Sequence, residues 1–210
     1  MAPGTPISQR GVRTRSALLG AGLDLLVDRP IDAIPIDDIV LAAGVAKGTF
    51  FNHFKDKNAF DAAVAGLVRA GMEVQIDAAN SDVDDPVERL ANGMRVAAEF
   101  ALTERRRAIV MLRGMAHATA RDNVLNRGVA ADMARCADAG MTRSEAQTGG
   151  VLYWLGLCQV LMIQIVEENP SRLEVGEALR QMLVLGLSGL GVEPQIAKTI
   201  ASQSARRLTN

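Results

Sequence analysis

Apolar residues recur at helical spacing along most of the chain, and the alternating pattern typical of strands is almost absent. The spacing predicts helices near residues 12–28, 86–102, 104–118, 121–139, 143–168 and 174–190, and a further helix from 56 to beyond 74. A short helix is expected after Pro194, which suits the first turn of a helix. Residues 80–85 form an acidic, turn-rich break between the two halves. The pattern predicts an all-α fold.

The clearest pattern is IDDIVLAAGVAKGTFFNHF at residues 36–54. Its first half repeats apolar residues at helical spacing, Gly44 breaks that helix, and Phe50 and Phe54 lie on a second short helix. Gly44 fits the turn because a positive φ there would place a Cβ in a clash. Two short helices joined by such a turn form the helix-turn-helix unit, whose second helix enters the DNA major groove. We therefore predict an N-terminal three-helix helix-turn-helix domain.

Polar and small residues occupy the rest of the second helix of this unit. Ile39, Val45 and Phe50 are expected to form the apolar wedge between the two helices. The side of the helix opposite this wedge is then available for phosphates and base edges. The residues predicted to face DNA are Lys47, Gly48, Thr49, Phe51, Asn52 and His53.

The same segment resembles the N-terminal domain of the tetracycline-repressor (TetR) family. The resemblance rests on Ala43-Gly44-Val45, Lys47-Gly48-Thr49-Phe50, Asn52-His53-Phe54 and Lys57, and it extends over roughly residues 10–68. It implies that Thr49, His53 and Lys57 touch phosphates. It also implies a homodimer on palindromic operator DNA, with a C-terminal domain that binds a small molecule.

Several positions depart from the family pattern. Phe51 stands where the family often has a tyrosine, so it can pack on a thymine methyl or simply on its neighbours. Ala46 and Pro35 stand where capping Ser or Thr residues are usual, and each loses a cap of about 1 kcal/mol. Asp37 and Asp38 suit a helix N-terminus but would repel a phosphate. Phosphate contacts are then expected from Thr49, His53 and Lys57, and from three arginines near the chain start: Arg10, Arg13 and Arg15. The alternative for the three arginines is that they only form a solvated helix start.

The C-terminal helices carry more apolar surface than one domain needs. Residues 151–166 and 178–190 are apolar nearly all round, which indicates burial on more than one side. Two helices from each subunit would form a four-helix interface about a twofold axis, as in TetR relatives. The predicted interface residues are Leu179, Met182, Leu183, Gly186, Leu187 and Leu190.

A ligand cavity is the other expectation for the C-terminal half. Methionines and the only tryptophan could line an adaptable apolar pocket, although Met is also ordinary core filler and spacing alone favours core. The family resemblance raises the cavity interpretation. The candidate ligand-binding residues are Met94, Met111, Met115, His117, Tyr153, Trp154, Cys158 and Met162.

Composition limits the remaining function classes. The formal net charge of −1 provides no global basic field, so DNA affinity must come from local charge and shape. Cys136 and Cys158 are expected to be free thiols in a reducing cytoplasm. No enzyme motif, metal-ligand spacing or cofactor fingerprint is visible. No signal peptide is expected, and the apolar run at 151–166 is expected to be too short to cross a membrane.

These patterns predict a flexible arm at residues 1–9, a DNA-binding domain at 10–76 and an effector-binding and dimerisation domain at 86–207. The predicted function is sequence-specific transcriptional regulation, as a cytoplasmic homodimeric repressor that a small, mostly apolar ligand releases from its operator. The alternative is a helical small-molecule carrier or sensor that has lost DNA binding. A helical enzyme is a remote third class.

Overall fold

The structure is a computed structural model that describes residues 9–114 and 123–210. Within these ranges the chain forms helices, turns and connecting segments, with no strand. The ten α-helices are α1 Gln9–Asp28, α2 Ile36–Ala42, α3 Lys47–His53, α4 Lys57–Ala79, α5 Pro86–Thr103, α6 Arg105–Arg113, α7 Arg127–Asp138, α8 Ala146–Glu168, α9 Arg172–Leu190 and α10 Pro194–Thr209. Short 3₁₀ turns lie at Ile31–Ala33 and Val124–Asn126. The all-α prediction is confirmed.

Helix boundaries follow local capping chemistry. Asp56 starts α4 by accepting a hydrogen bond from the Ala59 N–H at 2.7 Å, and Asp85 starts α5 by accepting from the Val87 N–H at 2.8 Å. The helix expected after Pro194 is not short, because α10 continues for 16 residues. Its inner face is buried in the core along the whole length of the helix.

The chain divides into two compact units, and the described residues of the first are 9–68 with 109–114. Its core brings together apolar side chains from α1, α2, α3, α4 and the end of α6. The chain is poor in aromatic residues, yet three buried phenylalanines meet here. Phe50 lies 5.4 Å from Phe60 between ring centroids, and Phe54 lies 5.0 Å from Phe60.

The second unit contains described residues 69–108 and 123–210. A polar network ties its helices together around Arg89 on α5, whose Nε donates to Asp132 of α7 at 2.6 Å. The same guanidinium donates to the Asn80 carbonyl at 2.8 Å, and the Asn80 side chain accepts from Asn92 at 3.0 Å. Because each of these buried polar groups has a partner, the network fixes how α5 and α7 pack.

The border between the units differs from the predicted break at residues 80–85. It falls between residues 68 and 69, inside α4, because Phe60 and Val64 belong to the first core while Met72 is buried in the second unit. One uninterrupted helix therefore belongs to both units.

The length of α8 corrects another expectation. The apolar run at 151–166 lies in a 23-residue helix, which is long and apolar enough to cross a membrane by length and composition alone. One such helix is weak evidence, since a core helix of a soluble protein meets the same test. Trp154, Leu161, Met162 and Ile165 of α8 are buried inside the second unit.

Candidate functional site

The turn between α2 and α3 depends on Gly44. Its φ of +66° is a conformation that side chains with a Cβ rarely adopt. The Gly44 N–H donates to the Leu41 carbonyl at 3.1 Å, and the Val45 N–H donates to the Val40 carbonyl at 3.0 Å. This pair of bonds satisfies the last carbonyls of α2 and ends the helix.

Phe50 fixes α3 to the rest of the first unit. Its side chain is fully buried, and the rings of Phe54 and Phe60 lie 5.6 and 5.4 Å from it. Ile39 of α2 is buried in the same core, and Val45 is partly buried against it. The structure thus forms the apolar wedge between α2 and α3 that the sequence predicts.

The opposite face of α3 is open to solvent. Lys47, Gly48, Phe51 and Asn52 are exposed, while Thr49 and His53 are partly buried at its edges. The Phe51 ring is 53% exposed and meets the ring of Phe50 edge to face, with centroids 5.4 Å apart. Phe51 therefore has one side packed and one side free to contact a partner.

Three cations of this unit contact neighbours that sequence reasoning did not identify. The Lys47 Nζ lies 2.9 Å from Asp37 Oδ1, and the Lys57 Nζ donates to the Asp32 carbonyl at 3.2 Å. The guanidinium of Arg15 lies over the Phe54 ring at 4.9 Å. Arg15 thus has a packing role that a solvated helix start would lack.

Two further arginines, Arg10 and Arg13, are exposed on the first turns of α1. They lie on the same helix as Arg15, which is partly buried. Their place in any DNA contact remains a prediction.

The two helices of the motif lack side-chain caps. Pro35 precedes α2 and Ala46 precedes α3, both with extended backbone, and neither side chain caps its helix. The Thr49 N–H donates to the Ala46 carbonyl at 2.9 Å. The first N–H groups of α3 consequently have no side-chain acceptor at the N-cap, and a phosphate oxygen could accept from such groups.

Residues 18–64, from the middle of α1 to the first third of α4, match the family described as bacterial regulatory proteins, tetR family. The chain belongs to the TetR family. The matched segment contains the whole α2–α3 motif and the phenylalanine cluster beneath it.

Known proteins resemble this TetR-family chain over different lengths. An uncharacterised HTH-type transcriptional regulator, YwcC of Bacillus subtilis (strain 168), is 43% identical over 47 residues, which are 22% of this chain and 21% of YwcC. The HTH-type transcriptional repressor BepR of Brucella suis biovar 1 (strain 1330) is 29% identical over 98 residues, 46% of this chain and 47% of BepR. The chain thus matches less than half the length of these curated relatives.

A solved structure resembles the fold over nearly the full length. RolR (NCGL1110), crystallised with the ligand resorcinol, superposes with a TM-score of 0.67 at 20% sequence identity. The match covers 93% of this chain and 96% of RolR. At this identity the likeness shows that the two chains share a fold over nearly their full length.

Four of the predicted ligand-binding residues lie in the second unit. Met94, Trp154 and Met162 are all buried there. Cys158 is partly exposed as a residue, yet burial raises the pKa of its thiol to about 12, with smaller contributions from Arg69 and Glu73. These four residues remain candidates for a ligand site.

The other candidates do not join them. Met111 is buried in the first unit, on the part of α6 that belongs to it. The position of Tyr153 differs from the predicted one in a ligand site. Its ring lies across Gly189 of α9, and its hydroxyl donates to the Leu185 carbonyl oxygen at 3.5 Å. Because adjacent residues of a helix diverge, Tyr153 cannot share the inner face of Trp154. Met115 and His117 lie outside the described residues.

The predicted dimer-interface residues need a larger correction. Five of the six are buried inside the second unit: Leu179, Leu183, Gly186, Leu187 and Leu190. Met182 is partly exposed. A Cβ on Gly186 would lie 3.1 Å from the Trp154 ring and 2.9 Å from a Leu157 methyl. Gly186 thus allows α8 and α9 of one subunit to pack closely, and of these six residues only Met182 keeps surface that a partner could contact.

A different apolar surface is exposed on the same two helices. Leu152 and Val160 of α8 are 59% and 60% exposed, and Leu185 of α9 is 67% exposed. Gly156 lies between the two α8 residues, and nothing within 4 Å would meet a Cβ there. We call Leu152, Gly156, Val160 and Leu185 the outer apolar face.

Proposed function

We propose that this TetR-family protein is a sequence-specific DNA-binding transcriptional regulator. The observation that carries the proposal is the mounting of α3 on Phe50, with Lys47, Phe51 and Asn52 on the opposite, exposed side. A lysine, an amide and an apolar ring offer contacts to guanine, adenine and the thymine methyl respectively. The first N–H groups of α3, which no side chain caps, could donate to a phosphate oxygen.

We further propose that the regulator is a homodimer that binds palindromic DNA. The outer apolar face supports this, because three large apolar side chains on α8 and α9 otherwise stand in solvent. Large exposed apolar side chains that group on one surface typically mark an interaction site. A twofold dimer would place two copies of α3 on successive major grooves when they are about 34–36 Å apart.

The proposed regulation is release from DNA by a small, mostly apolar effector. Met94, Trp154 and Met162 support an apolar lining in the second unit. A polar pair lies near Cys158, the fourth candidate, since Arg69 and Glu73 influence its thiol and pair at 2.5 Å with side chains only 15% and 20% exposed. An effector that is mostly apolar and carries one hydrogen-bonding group would suit this lining.

Helix α4 supports a route from effector to DNA. It runs without a break from Lys57 in the first unit to Ala79 in the second, and the Arg69–Glu73 pair lies on its second half. An effector that shifts this half would also shift the helix-turn-helix at the other end. The spacing of the two recognition helices would then no longer match the groove repeat.

The decisive experiment is selection of bound sequences from a random duplex library by the full-length protein. Enrichment of one palindromic sequence, bound with lower affinity as salt rises, would support the regulator. The DNA upstream of the gene that encodes this protein provides a second binding target. Failure to enrich any sequence at low salt would overturn the proposal.

A helical small-molecule carrier or sensor without DNA binding is the second candidate. Two observations favour it. Pro35 and Ala46 leave both motif helices without side-chain caps. The ammonium group of Lys47 is already paired with the Asp37 carboxylate. Saturable uptake of a small molecule by a protein that enriches no DNA would support this candidate over the regulator.

A further inference from the structure

Lys47 and Asp37 form an ion pair on the face that the helix-turn-helix motif presents. The Lys47 Nζ lies 2.9 Å from Asp37 Oδ1 and 3.0 Å from Oδ2. Lys47 is the first residue of α3 and Asp37 is in the first turn of α2. The pair therefore joins the two helices of the motif at their N-terminal ends.

This pair has little to do with folding. The two side chains are 60% and 66% exposed, and an ion pair so well solvated contributes little to stability. The neighbouring Asp38 pairs instead with Arg29 at 3.3 Å and is less exposed. Asp37 and Lys47 are thus both reachable by a partner that approaches the exposed face of α3.

The chemistry of the pair matches one edge of a base pair. An ammonium group is a donor only, and an ionised carboxylate is an acceptor only. In the major groove, guanine offers O6 and N7 as acceptors, and cytosine offers the N4 amino group as a donor. Guanine O6 and cytosine N4 share a hydrogen bond, so they lie about 2.9 Å apart. The Lys47–Asp37 spacing is the same.

We propose that Lys47 and Asp37 act as one unit that reads a G·C base pair in each half of the operator. Lys47 donates to guanine, Asp37 accepts from cytosine N4, and the ion pair between them persists. The inference rests on the proposed DNA-binding function. It also gives Asp37 a role on a surface where a lone carboxylate would only repel phosphates.

The other base pairs fit this unit less well. A reversed C·G pair places the donor N4 of cytosine against Lys47 and the acceptor O6 of guanine against Asp37. An A·T pair likewise places the donor N6 of adenine against Lys47 and the acceptor O4 of thymine against Asp37. A T·A pair retains the order of acceptor and donor, but thymine offers a methyl group where guanine offers the second acceptor N7. The expected order of preference at this position is therefore G·C, then T·A, then the other two.

The test is in vitro selection from a random duplex library with four full-length proteins: the wild type, Asp37→Ala, Lys47→Met and Asp38→Ala. Asp38→Ala is the matched control, because it removes the same charge from the same helix. The wild type and the control should both prefer G·C at one position in each half-site. Asp37→Ala and Lys47→Met should each reduce that preference at least about fivefold, at that position only.

Other outcomes separate the alternatives. If Asp37→Ala tightens binding to all sequences equally and leaves every preference unchanged, Asp37 is only a repulsive charge and the inference is wrong. Changes at different positions for the two variants would also overturn paired reading. If the wild type itself enriches no sequence, the proposed function fails as well. Equal thermal melting of all four proteins would show that the variants are folded.

Discussion

Gly22 of α1 lies directly against the ring of Phe60 on α4. A Cβ on Gly22 would lie 2.8 Å from Phe60 Cε1, closer still to Phe60 Cζ, and 3.0 Å from a methyl of Val64. Phe60 is fully buried and touches both Phe50 and Phe54. The missing side chain of Gly22 thus lets α1 close on the aromatic cluster that supports the recognition helix.

Gly22→Ala should destabilise the helix-turn-helix unit by about 1–3 kcal/mol, because the buried Phe60 ring must move to admit the methyl group. Gly20→Ala is the control: it lies on the same helix, is exposed, and has nothing within 4 Å of a Cβ. That control should stabilise α1 by up to about 1 kcal/mol. Thermal and urea unfolding of both full-length variants measure the difference. Similar shifts for the two variants would show that Gly22 is not a packing constraint.

The outer apolar face gives a prediction about assembly. Leu152→Glu and Leu185→Glu should yield folded monomers, because a charge at a dimer interface loses its hydration without gaining a partner. Leu183→Glu should instead prevent folding, since Leu183 is buried inside the subunit. Leu41→Glu, an exposed leucine in the other unit, is the control and should leave the dimer intact. Light scattering at micromolar concentration distinguishes these states. A monomeric wild type would refute the interface.

Effector binding should stabilise the second unit. At a ligand concentration 100-fold above Kd, the gain is about 2.7 kcal/mol. Trp154 is the only tryptophan, so its fluorescence should report a ligand that touches it. A thermal-shift screen should favour apolar molecules with one hydrogen-bonding group, and each hit should lower affinity for selected DNA. Hits confined to strongly anionic metabolites would contradict the apolar lining, whereas hits without effect on DNA would contradict the coupling.

The two thiols predict a specific alkaline instability. Burial raises the pKa of Cys136 to about 11 and that of Cys158 to about 12. Above the unfolded pKa near 9, the unfolded chain releases these protons while the folded chain retains them. The folded state then binds more protons, so stability falls as pH rises from about 9 towards the folded pKa values.

Thermal melting between pH 8 and about 11 checks this slope. The wild type should lose more stability over that range than Cys158→Ala, which has one fewer thiol to deprotonate. Parallel curves would show that the Cys158 thiol is not deeply buried.

The helix-turn-helix could be predicted from sequence because several local signals agree there. Gly44 indicates a positive φ, the apolar spacing indicates which side of each helix is buried, and Phe50 and Phe54 indicate core positions. Each of these depends on residues close together in the chain. The Lys47–Asp37 pair was not predicted, because an ion pair across a turn depends on rotamers that sequence spacing does not fix.

The packing of the C-terminal half was harder to predict from sequence because its helices are apolar on several sides. Nothing in the sequence separates Leu183, which is buried, from Leu185, which is exposed. Gly186, which was predicted at the dimer interface, instead packs against Trp154 of the same subunit. The boundary between the units was missed because α4 crosses it without any break in its helical pattern.

The most direct test of the account is the DNA affinity of the full-length protein, measured by fluorescence anisotropy at two salt concentrations on the selected duplex and on a scrambled one. The wild type should prefer the selected duplex. Lys57→Ala should weaken binding to both duplexes alike and reduce the salt slope by about 1, as expected for a lost phosphate contact. Lys198→Ala, an exposed lysine on α10, should change neither. Equal, weak affinity of the wild type for both duplexes would contradict sequence-specific DNA binding.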